Sequence, residues 1–202
     1  MKKNKKEKFQ EIRLEIPKDE LKKAIKAQKN FCTYSENILS CVHIELKDNI
    51  FEMCSTDGNR LLVTRIEINN AENRTESFNV KCSLLEKLVL FNSSLVEWIE
   101  VIIKENSISF NDYQFGIKQE FDINRDKYPE YSKLIPDYQE NEYSIGLNRQ
   151  FFKDLSSLQP NERTNIIELK MDKTSNIRPI IVRTGTPNFR QIALLMPVQI
   201  RG

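Results

Sequence analysis

Short runs of alternating apolar and polar residues fill the chain, and each group of runs includes one stretch with helical periodicity. The first group contains FQEIRLEI, then KDELKKAIKAQKNF, then ILSCVHIEL, NIFEMCST and RLLVTRIEI. The helical stretch follows Pro17, which is predicted at the first helical position. Its core-facing side consists of Leu21, Ala24, Ile25 and Gln28. The pattern predicts one strand, one helix and three strands, with the last three separated by the turn signals KDN and DGN.

The same order of elements occurs twice more, and we call each occurrence a repeat. The second repeat has SFNVK, a short helix in SLLEKLVLF with Ser83 as its predicted cap, and the strands LVEWIEVIIKE, NSISFND and YQFGIKQEFDI. The third repeat has EYSIGL, a helix in RQFFKDLSSL capped by Asn148, and the strands NIIELKM, IRPIIVRT and FRQIALLMPVQI. An α+β fold is therefore predicted.

One helix on a small sheet leaves an apolar face open, so we expect the repeats to pair. The segment NRDKYPEYSKLIPDYQE, rich in proline and aromatic residues, separates the second repeat from the third. The predicted organisation is a basic tail over 1–10, a domain of two repeats over 11–126, a linker over 127–141 and a third repeat over 142–202.

Composition excludes several classes of protein. The chain of 202 residues is 39% hydrophobic, which is enough for a core, and its net charge of +2 is small. A nucleic-acid role must therefore depend on where the charge is placed. Four cysteines without a C-x-x-C pair favour reduced thiols over disulfides or zinc, and His43, the one histidine, favours a structural role. No apolar stretch is long enough to span a membrane and no signal sequence precedes the first repeat, so a cytoplasmic location is expected.

Enzyme chemistry finds no support in the sequence. The carboxylates lack metal-ligand spacing, and the chain has five glycines and no glycine-rich phosphate loop. Among these carboxylates, Glu97, Glu100, Asp122 and Asp126 lie on predicted strands and links and do not have the spacing of metal ligands. We predict a protein that is not an enzyme and has no catalytic residue, metal or cofactor.

A row of lysines follows the first predicted helix. Lys18, Lys22, Lys26 and Lys29 recur at spacings of four, four and three, and Lys23 borders them. The periodicity alone fits a solvated helix face, which is common in lysine-rich proteins. It also fits a surface that contacts phosphates without reading bases.

Three motifs resemble those of one family. STDGNRL resembles the TDGHRL signature of bacterial sliding clamps, the β subunit of DNA polymerase III. KYPEYSKLIP resembles the FPDYxxxLP link of that family, and LLMPVQI resembles its C-terminal MPMRL. The resemblance extends from about residue 11 onward, as if the family's middle domain were joined directly to the second half of its third domain. Departures are Asn59 for histidine, Gln199 for arginine, and Ser40-Cys41 for Asn-Gly.

The resemblance implies the DNA clamp fold of processivity factors, with helices lining a ring and sheets outside. It favours the phosphate-contacting interpretation of the lysines, so the DNA-facing residues are expected to be Lys18, Lys22, Lys23, Lys26 and Lys29. The other two predicted helices carry little positive charge, and Glu36 in the loop after the first helix would repel phosphate. Duplex DNA and a clamp loader are the implied partners.

The resemblance also implies a pocket for linear peptides of polymerases and other replication or repair proteins. Carried over by position, its walls are Leu39, Thr56, Gly58, Arg60, Leu61, Pro129, Lys133, Leu134, Ile177, Pro179, Leu194, Leu195, Met196, Pro197 and Val198. A second hypothesis is an adaptor or decoy that binds such peptides without encircling DNA.

The third repeat has no partner within the chain. Its predicted helix face around Phe151, Phe152, Leu155 and Leu158 would be partly exposed in a monomer. Two copies can pair through an isologous contact, and four chains supply the twelve repeats of a full ring in the resembled family. We therefore expect a homo-oligomer, at least a dimer.

Overall fold

The computed structural model describes residues 9–47, 49–68, 74–90, 97–113, 116–135, 145–155, 168–172, 174, 178–186 and 189–198, with the backbone alone for 89–90, 183–186 and 189–190. The chain divides into two compact parts, an N-terminal unit, Met1–Ile135, and a C-terminal unit, Pro136–Gly202. Their boundary falls inside the predicted linker.

The described elements follow the predicted order, except that the described part of EYSIGL, 145–147, contains an isolated bridge at Gly146 and no strand. The helices are α1 (Lys18–Gln28), α2 (Cys82–Leu85) and α3 (Arg149–Asp154). The strands of the first two repeats are β1 (Ile12–Pro17), β2 (Cys41–Lys47), β3 (Ile50–Thr56), β4 (Leu61–Glu67), β5 (Glu76–Lys81), β6 (Trp98–Ile103), β7 (Ser107–Asp112) and β8 (Ile117–Asp122). The third repeat contains β9 (Glu168–Lys170), β10 (Ile180–Thr186) and β11 (Phe189–Leu195).

The two repeats of the N-terminal unit exchange their first strands. Strand β1 joins the sheet of the second repeat, in the order β1-β6-β7-β8, and β5 joins the sheet of the first, in the order β4-β3-β2-β5. All of these pairings are antiparallel, with Leu14 opposite Val101 and Ile44 opposite Phe78. The expectation that these repeats pair is confirmed, and the exchange makes each sheet depend on the other repeat.

Alternating burial explains why these runs become strands. In β1, Ile12, Leu14 and Ile16 are buried, whereas the residues between them are exposed. Their partners in the core include Phe51 and Phe78, which are fully buried. Burial of each such side chain contributes about 1.5–3 kcal/mol.

The buried face of α1 ends in a polar contact with β3 and β4. All four predicted core-facing residues of α1 are buried, including Gln28 at 0% exposure. The Gln28 amide Nε2 donates to the carbonyl oxygen of Met53 at 2.9 Å and to Thr64 Oγ1 at 3.1 Å. Ser55 Oγ lies 2.5 Å from Gln28 Oε1. Because a buried amide must be hydrogen-bonded, this contact fixes the end of α1 against the base of the β3–β4 hairpin.

Several element boundaries differ from the prediction, and the following are examples. Pro17 ends β1, where it pairs with Trp98, so α1 begins at Lys18. Ser83 lies inside α2 and does not cap it, because β5 continues to Lys81, opposite Cys41. The run ILSCV begins with a 3-10 turn at Ile38–Ser40, and β2 begins only at Cys41.

The C-terminal unit contains a smaller sheet in the order β11-β10-β9. Its core consists of Leu155, Ile180, Val182 and Leu195. The predicted cap of α3 is confirmed, since Asn148 Oδ1 accepts a hydrogen bond from the Gln150 backbone N–H at 2.8 Å. A bridge pairs Gly146 with Val198.

Exposure of the α3 face agrees only partly with the prediction. Phe151 and Phe152 are 53% and 49% exposed, but Leu155 is buried in the core of its own unit, so its predicted exposure is wrong. Leu155 follows the last turn of α3, on the side that packs against β10 and β11. Leu158 lies outside the described residues.

Candidate functional site

The segment STDGNRL forms the connection of the β3–β4 hairpin. Thr56 and Leu61 are the last paired residues, and the Asp57 N–H donates to the Arg60 carbonyl at 3.3 Å. Gly58 has a φ of +89°, a conformation in which a side chain would be strained. Thr56 Oγ1 accepts from the Gly58 N–H at 3.0 Å and donates to the Arg60 carbonyl at 2.7 Å. The hairpin therefore has a defined polar tip.

Arg60 attaches this tip to the end of α1. Its guanidinium donates to Asp57 Oδ2 from Nε at 3.0 Å and from Nη2 at 2.7 Å. Nη2 also donates to the carbonyl oxygen of Asn30 at 3.0 Å, and the guanidinium carbon lies 5.2 Å from the centre of the Phe31 ring. The resemblance implied that Arg60 lies in the wall of a pocket. In the structure, the Arg60 side chain joins the hairpin tip to the residues that follow α1.

Asp57 is the most strongly perturbed carboxyl of the hairpin. Hydrogen bonds from the Arg60 side chain, then from the backbone N–H groups of Asn59 and Arg60, lower its pKa from 3.8 to about 2. Because the folded pKa is depressed, the stabilising contribution of this carboxylate is present above about pH 4 and is lost as the pH falls towards 2. At neutral pH the Asp57 carboxylate is therefore ionised and makes its full contribution.

The link after β8 packs on the sheet beside the hairpin through two tyrosines. Tyr128 stacks on His43, with ring centres 4.8 Å apart, and His43 Nδ1 lies 2.8 Å from Asn79 Oδ1. The Tyr131 hydroxyl donates to the Glu52 carboxylate and lies 3.3 Å from Glu45 Oε2. Burial, followed by the hydrogen bond to Glu52, raises the pKa of Tyr131, so its hydroxyl remains a donor.

Both tyrosines bury Cys54 and pack against Ile38, Leu61 and Val63. The end of the link stays accessible: Leu134 is 68% exposed and Ile135 is 45% exposed. Of the other predicted pocket residues in this unit, Leu39 and Leu61 are half-buried, Thr56 is buried, and Gly58, Arg60, Pro129 and Lys133 are exposed. The N-terminal unit therefore brings a polar hairpin tip and an exposed apolar link end to a shared tyrosine cluster.

Replacing Tyr131 with Phe is expected to loosen the link. The change removes the hydroxyl donor to Glu52, which costs about 1–2 kcal/mol of unfolding free energy. Hydrogen exchange of the amides at 130–134 should accelerate in Tyr131→Phe. Tyr34→Phe is the matched control, because Tyr34 is 96% exposed. Equal exchange at 130–134 in wild type and Tyr131→Phe would contradict the anchoring role.

The C-terminal strand carries an apolar row at its surface. Every second residue from Ile192 to Val198 is exposed, whereas Leu195 is buried in the core. Leu194 and Met196 are 60% and 58% exposed, Val198 is 45% exposed, and Pro179 and Pro197 are half-buried. Ile177 lies outside the described residues. Ile192, at 68% exposure, extends the row and was missing from the predicted pocket, although its position two residues before Leu194 was a signal for it.

The lysine row on α1 divides into two parts. Lys18 is 3% exposed and lies on the core face, so its predicted DNA-facing role is wrong. The reason is its spacing of three and seven from Leu21 and Ile25, which places all three on one side. Lys23, Lys26 and Lys29 are exposed, and Lys22 is half-buried with a pKa lowered first by burial and then by Lys18.

The exposed surface of α1 is not purely basic. Asp19 and Glu20 lie in its first turn, and Lys29 forms an ion pair with Glu86 at 3.1 Å. Among the described residues, no group of three or more His, Cys, Asp or Glu side chains could hold a metal ion. No helix in the described ranges is long and apolar enough to cross a membrane.

Comparison with solved structures identifies the fold. A DNA polymerase sliding clamp from Bacillus subtilis superposes with a TM-score of 0.79 at 20% sequence identity, covering 94% of this chain and 50% of that one. A DnaN sliding clamp (DNA polymerase III subunit beta) from Pseudomonas aeruginosa, bound to griselimycin, gives 0.76 at 13% identity, with coverages of 93% and 51%. The beta subunit from DNA polymerase of Streptococcus pyogenes gives 0.74 at 18%, with coverages of 92% and 50%.

No protein-family model and no curated protein matches the sequence. The predicted α+β fold and its clamp architecture are confirmed by these superpositions. The chain spans about half the length of the solved clamps that it matches.

Proposed function

We propose that this protein is a sliding-clamp-like processivity factor of DNA replication or repair that binds linear peptides of polymerases and related proteins. The observation that carries the proposal is the clamp fold over 94% of the chain, together with exposed apolar residues at two of the three motifs that resemble the clamp signature, the link and the C-terminal strand. The protein acts by binding and has no catalytic step. We propose that the hairpin and the link end of the N-terminal unit bind the peptide, and that the apolar row of the C-terminal unit also contacts it.

The chemistry of the three segments suits a peptide with leucine and phenylalanine anchors. Leu134, Leu194 and Met196 offer exposed apolar surface, and methionine adapts to side chains of different shape. The polar hairpin tip supplies backbone and hydroxyl groups that can fix the direction of the peptide.

The direct experiment is titration of a fluorescent peptide with a Gln-x-x-Leu-Phe motif. A Kd in the micromolar range, about −8 kcal/mol, is expected, and a scrambled peptide should bind at least tenfold more weakly. Equal binding of the two peptides, or no binding of either, would refute the proposed pocket.

We further propose that Lys22, Lys23, Lys26 and Lys29 contact duplex phosphates. Contacts of this kind do not depend on base sequence and weaken steeply with salt. Homo-oligomers of the chain would encircle the duplex with this face inward, and a loader would assist assembly on DNA.

Reversing two of these charges tests the DNA-facing surface. Changing Lys23 and Lys26 together to Glu should weaken binding to any duplex and reduce the slope of log K against log salt by about two, since about two phosphate contacts are lost. The matched control changes Lys47, on β2, and Lys127, in the link, to Glu. It alters the net charge by the same amount as the α1 variant, but at sites outside α1. If both double variants lose affinity equally, the effect is one of net charge and α1 does not face DNA.

A specific observation supports the second candidate function, an adaptor or decoy that binds peptides without encircling DNA. The exposed face of α1 mixes its lysines with Asp19 and Glu20, and Lys29 is already paired with Glu86. Such a protein would bind the peptide as above but show the same weak DNA binding on closed circles and on linear duplexes.

A further inference from the structure

Two cysteine side chains from different repeats meet near the end of α1. Cys32 follows the 3-10 turn Lys29–Phe31, and Cys82 is the first residue of α2. Cys32 packs against the core cluster that contains Cys82, and each thiol perturbs the pKa of the other. Cys32 Sγ lies 3.8 Å from the Cys41 carbonyl oxygen. Cys41 lies opposite Lys81, the residue before Cys82, so Cys32 and Cys82 lie close together.

A cavity gives small molecules access to the pair. Its volume is about 270 Å³, and Cys32 and Cys82 both line it. The exposed loop residues 34–36 form another part of its wall. Cys32 is half-buried and Cys82 is 6% exposed, so a peroxide that enters the cavity can reach a sulfur atom.

The two thiols differ in acidity. The interaction with Cys32 lowers the pKa of Cys82 against the opposing effects of burial and Glu86, and the nearby Lys29 charge acts in the same direction as Cys32. The interaction with Cys82, followed by burial, raises the pKa of Cys32. Cys82 is thus the more acidic thiol of the pair and the one that reacts first as a thiolate.

We propose that Cys32 and Cys82 form a reversible disulfide in response to peroxide. The Cys82 thiolate attacks one peroxide oxygen, the O–O bond breaks, and the departing hydroxide is protonated to water, which leaves a sulfenic acid on Cys82. Cys32 then loses its proton and attacks that sulfur, forming the S–S bond and releasing a second water. Two thiols and one hydrogen peroxide thus give one disulfide and two waters.

The other cysteines lack these features. Cys54 is fully buried beside Tyr128 and Tyr131, and burial raises its pKa to about 12. Burial also raises the pKa of Cys41, which is 5% exposed. Because oxidation follows thiolate character and access, the reaction should be selective for Cys32 with Cys82.

The bond would connect the two repeats of the N-terminal unit at the end of α1. It would tie the loop 33–37 and the neighbouring Lys29 to α2, beside the lysine face of the helix. Oxidation would therefore restrain one end of the surface that we assign to DNA.

The test is oxidation of the full chain with one equivalent of hydrogen peroxide, followed by intact mass and peptide mapping without reduction. Wild type and Cys54→Ser should lose two hydrogen atoms, yield a peptide that links Cys32 to Cys82, and return to the starting mass with dithiothreitol. The melting temperature should rise by roughly 5 °C on oxidation. Cys32→Ser should instead accumulate a trappable sulfenic acid at Cys82.

Three results would overturn the proposal. These are oxidation of all four cysteines without an internal bond, a bond between Cys82 and Cys41, and an unchanged mass in folded wild type. Cys82→Ser provides a second variant that should block the bond, so the conclusion does not rest on the folding of Cys32→Ser alone.

Discussion

Leu134→Asp is expected to weaken binding of a Gln-x-x-Leu-Phe peptide by at least about 100-fold, which corresponds to about 2.7 kcal/mol. Leu134 is 68% exposed at the end of a link that two buried tyrosines fix to the sheet, so the free protein should tolerate the charge. In the complex, the aspartate would be buried against an apolar anchor without a partner, which is costly. The measurement is the titration of fluorescent peptide.

Met196→Asp should have an effect of the same size, because Met196 lies in the apolar row of the C-terminal strand at 58% exposure. Each variant has a matched control in its own unit. Ile117→Asp places the charge at a residue that is 43% exposed on β8, and Met171→Asp at one that is 41% exposed after β9. Wild-type affinity in folded Leu134→Asp and Met196→Asp would locate the peptide elsewhere, and equal losses in the controls would mean that any new charge has the same effect.

Phe152→Asp is expected to convert the oligomer that we propose for the wild type into monomers. Phe151 and Phe152 present adjacent aromatic rings on α3, 53% and 49% exposed. In the N-terminal unit, the sheet of each repeat includes the first strand of the other repeat. In the sheet of the third repeat, β10 is the only described strand that pairs with β9. We propose that two copies of the third repeat complete each other in the same way, through an isologous contact.

Sedimentation at micromolar concentration measures this prediction. Wild type should sediment as a dimer or a larger species, and Phe152→Asp should shift the dissociation constant upward by at least about 100-fold, since a charge would enter an apolar contact. Tyr113→Asp is the control, because Tyr113 is 69% exposed in the N-terminal unit. A wild-type protein that remains monomeric at high micromolar concentration would contradict the assembly and favour the adaptor.

Local sequence patterns predicted the strands and helices, because alternating burial and helix capping depend on residues that are close in the chain. Alternation in IRLEIP matches alternating burial in β1, and Asn148 precedes α3 as a cap should. Turn chemistry likewise identified the hairpin at Gly58, where a positive φ is required.

The pairing of segments that are distant in the chain was harder to predict from the sequence. The pattern that makes β1 a strand does not specify which sheet it joins, so its exchange with β5 became apparent only in the structure. The burial of Lys18, in contrast, had a signal in the sequence. Its helical spacing from Leu21 and Ile25 places it on the core face. Its DNA-facing role was predicted from the lysine spacing together with the family resemblance, and neither takes account of the apolar neighbours of Lys18.

Some features of the candidate site could be predicted from the sequence and others could not. Exposure of Leu134, Leu194 and Met196 agrees with residues that the resemblance singled out. The contact of Arg60 with Asn30 and Phe31, and that of Tyr131 with Glu52, join segments far apart in the chain. Neither contact has a sequence signal, because each depends on how two elements pack.

Retention on closed circular DNA would show whether the protein encircles a duplex. The chain is assembled at high concentration in the presence of a covalently closed duplex circle, diluted into high salt, and separated from free protein by gel filtration. A clamp-like ring should stay with the circle, because salt weakens phosphate contacts but cannot undo a topological link. It should be lost after a single double-strand cut lets it slide off. Equal retention on intact and cut DNA, or none on either, would contradict encirclement.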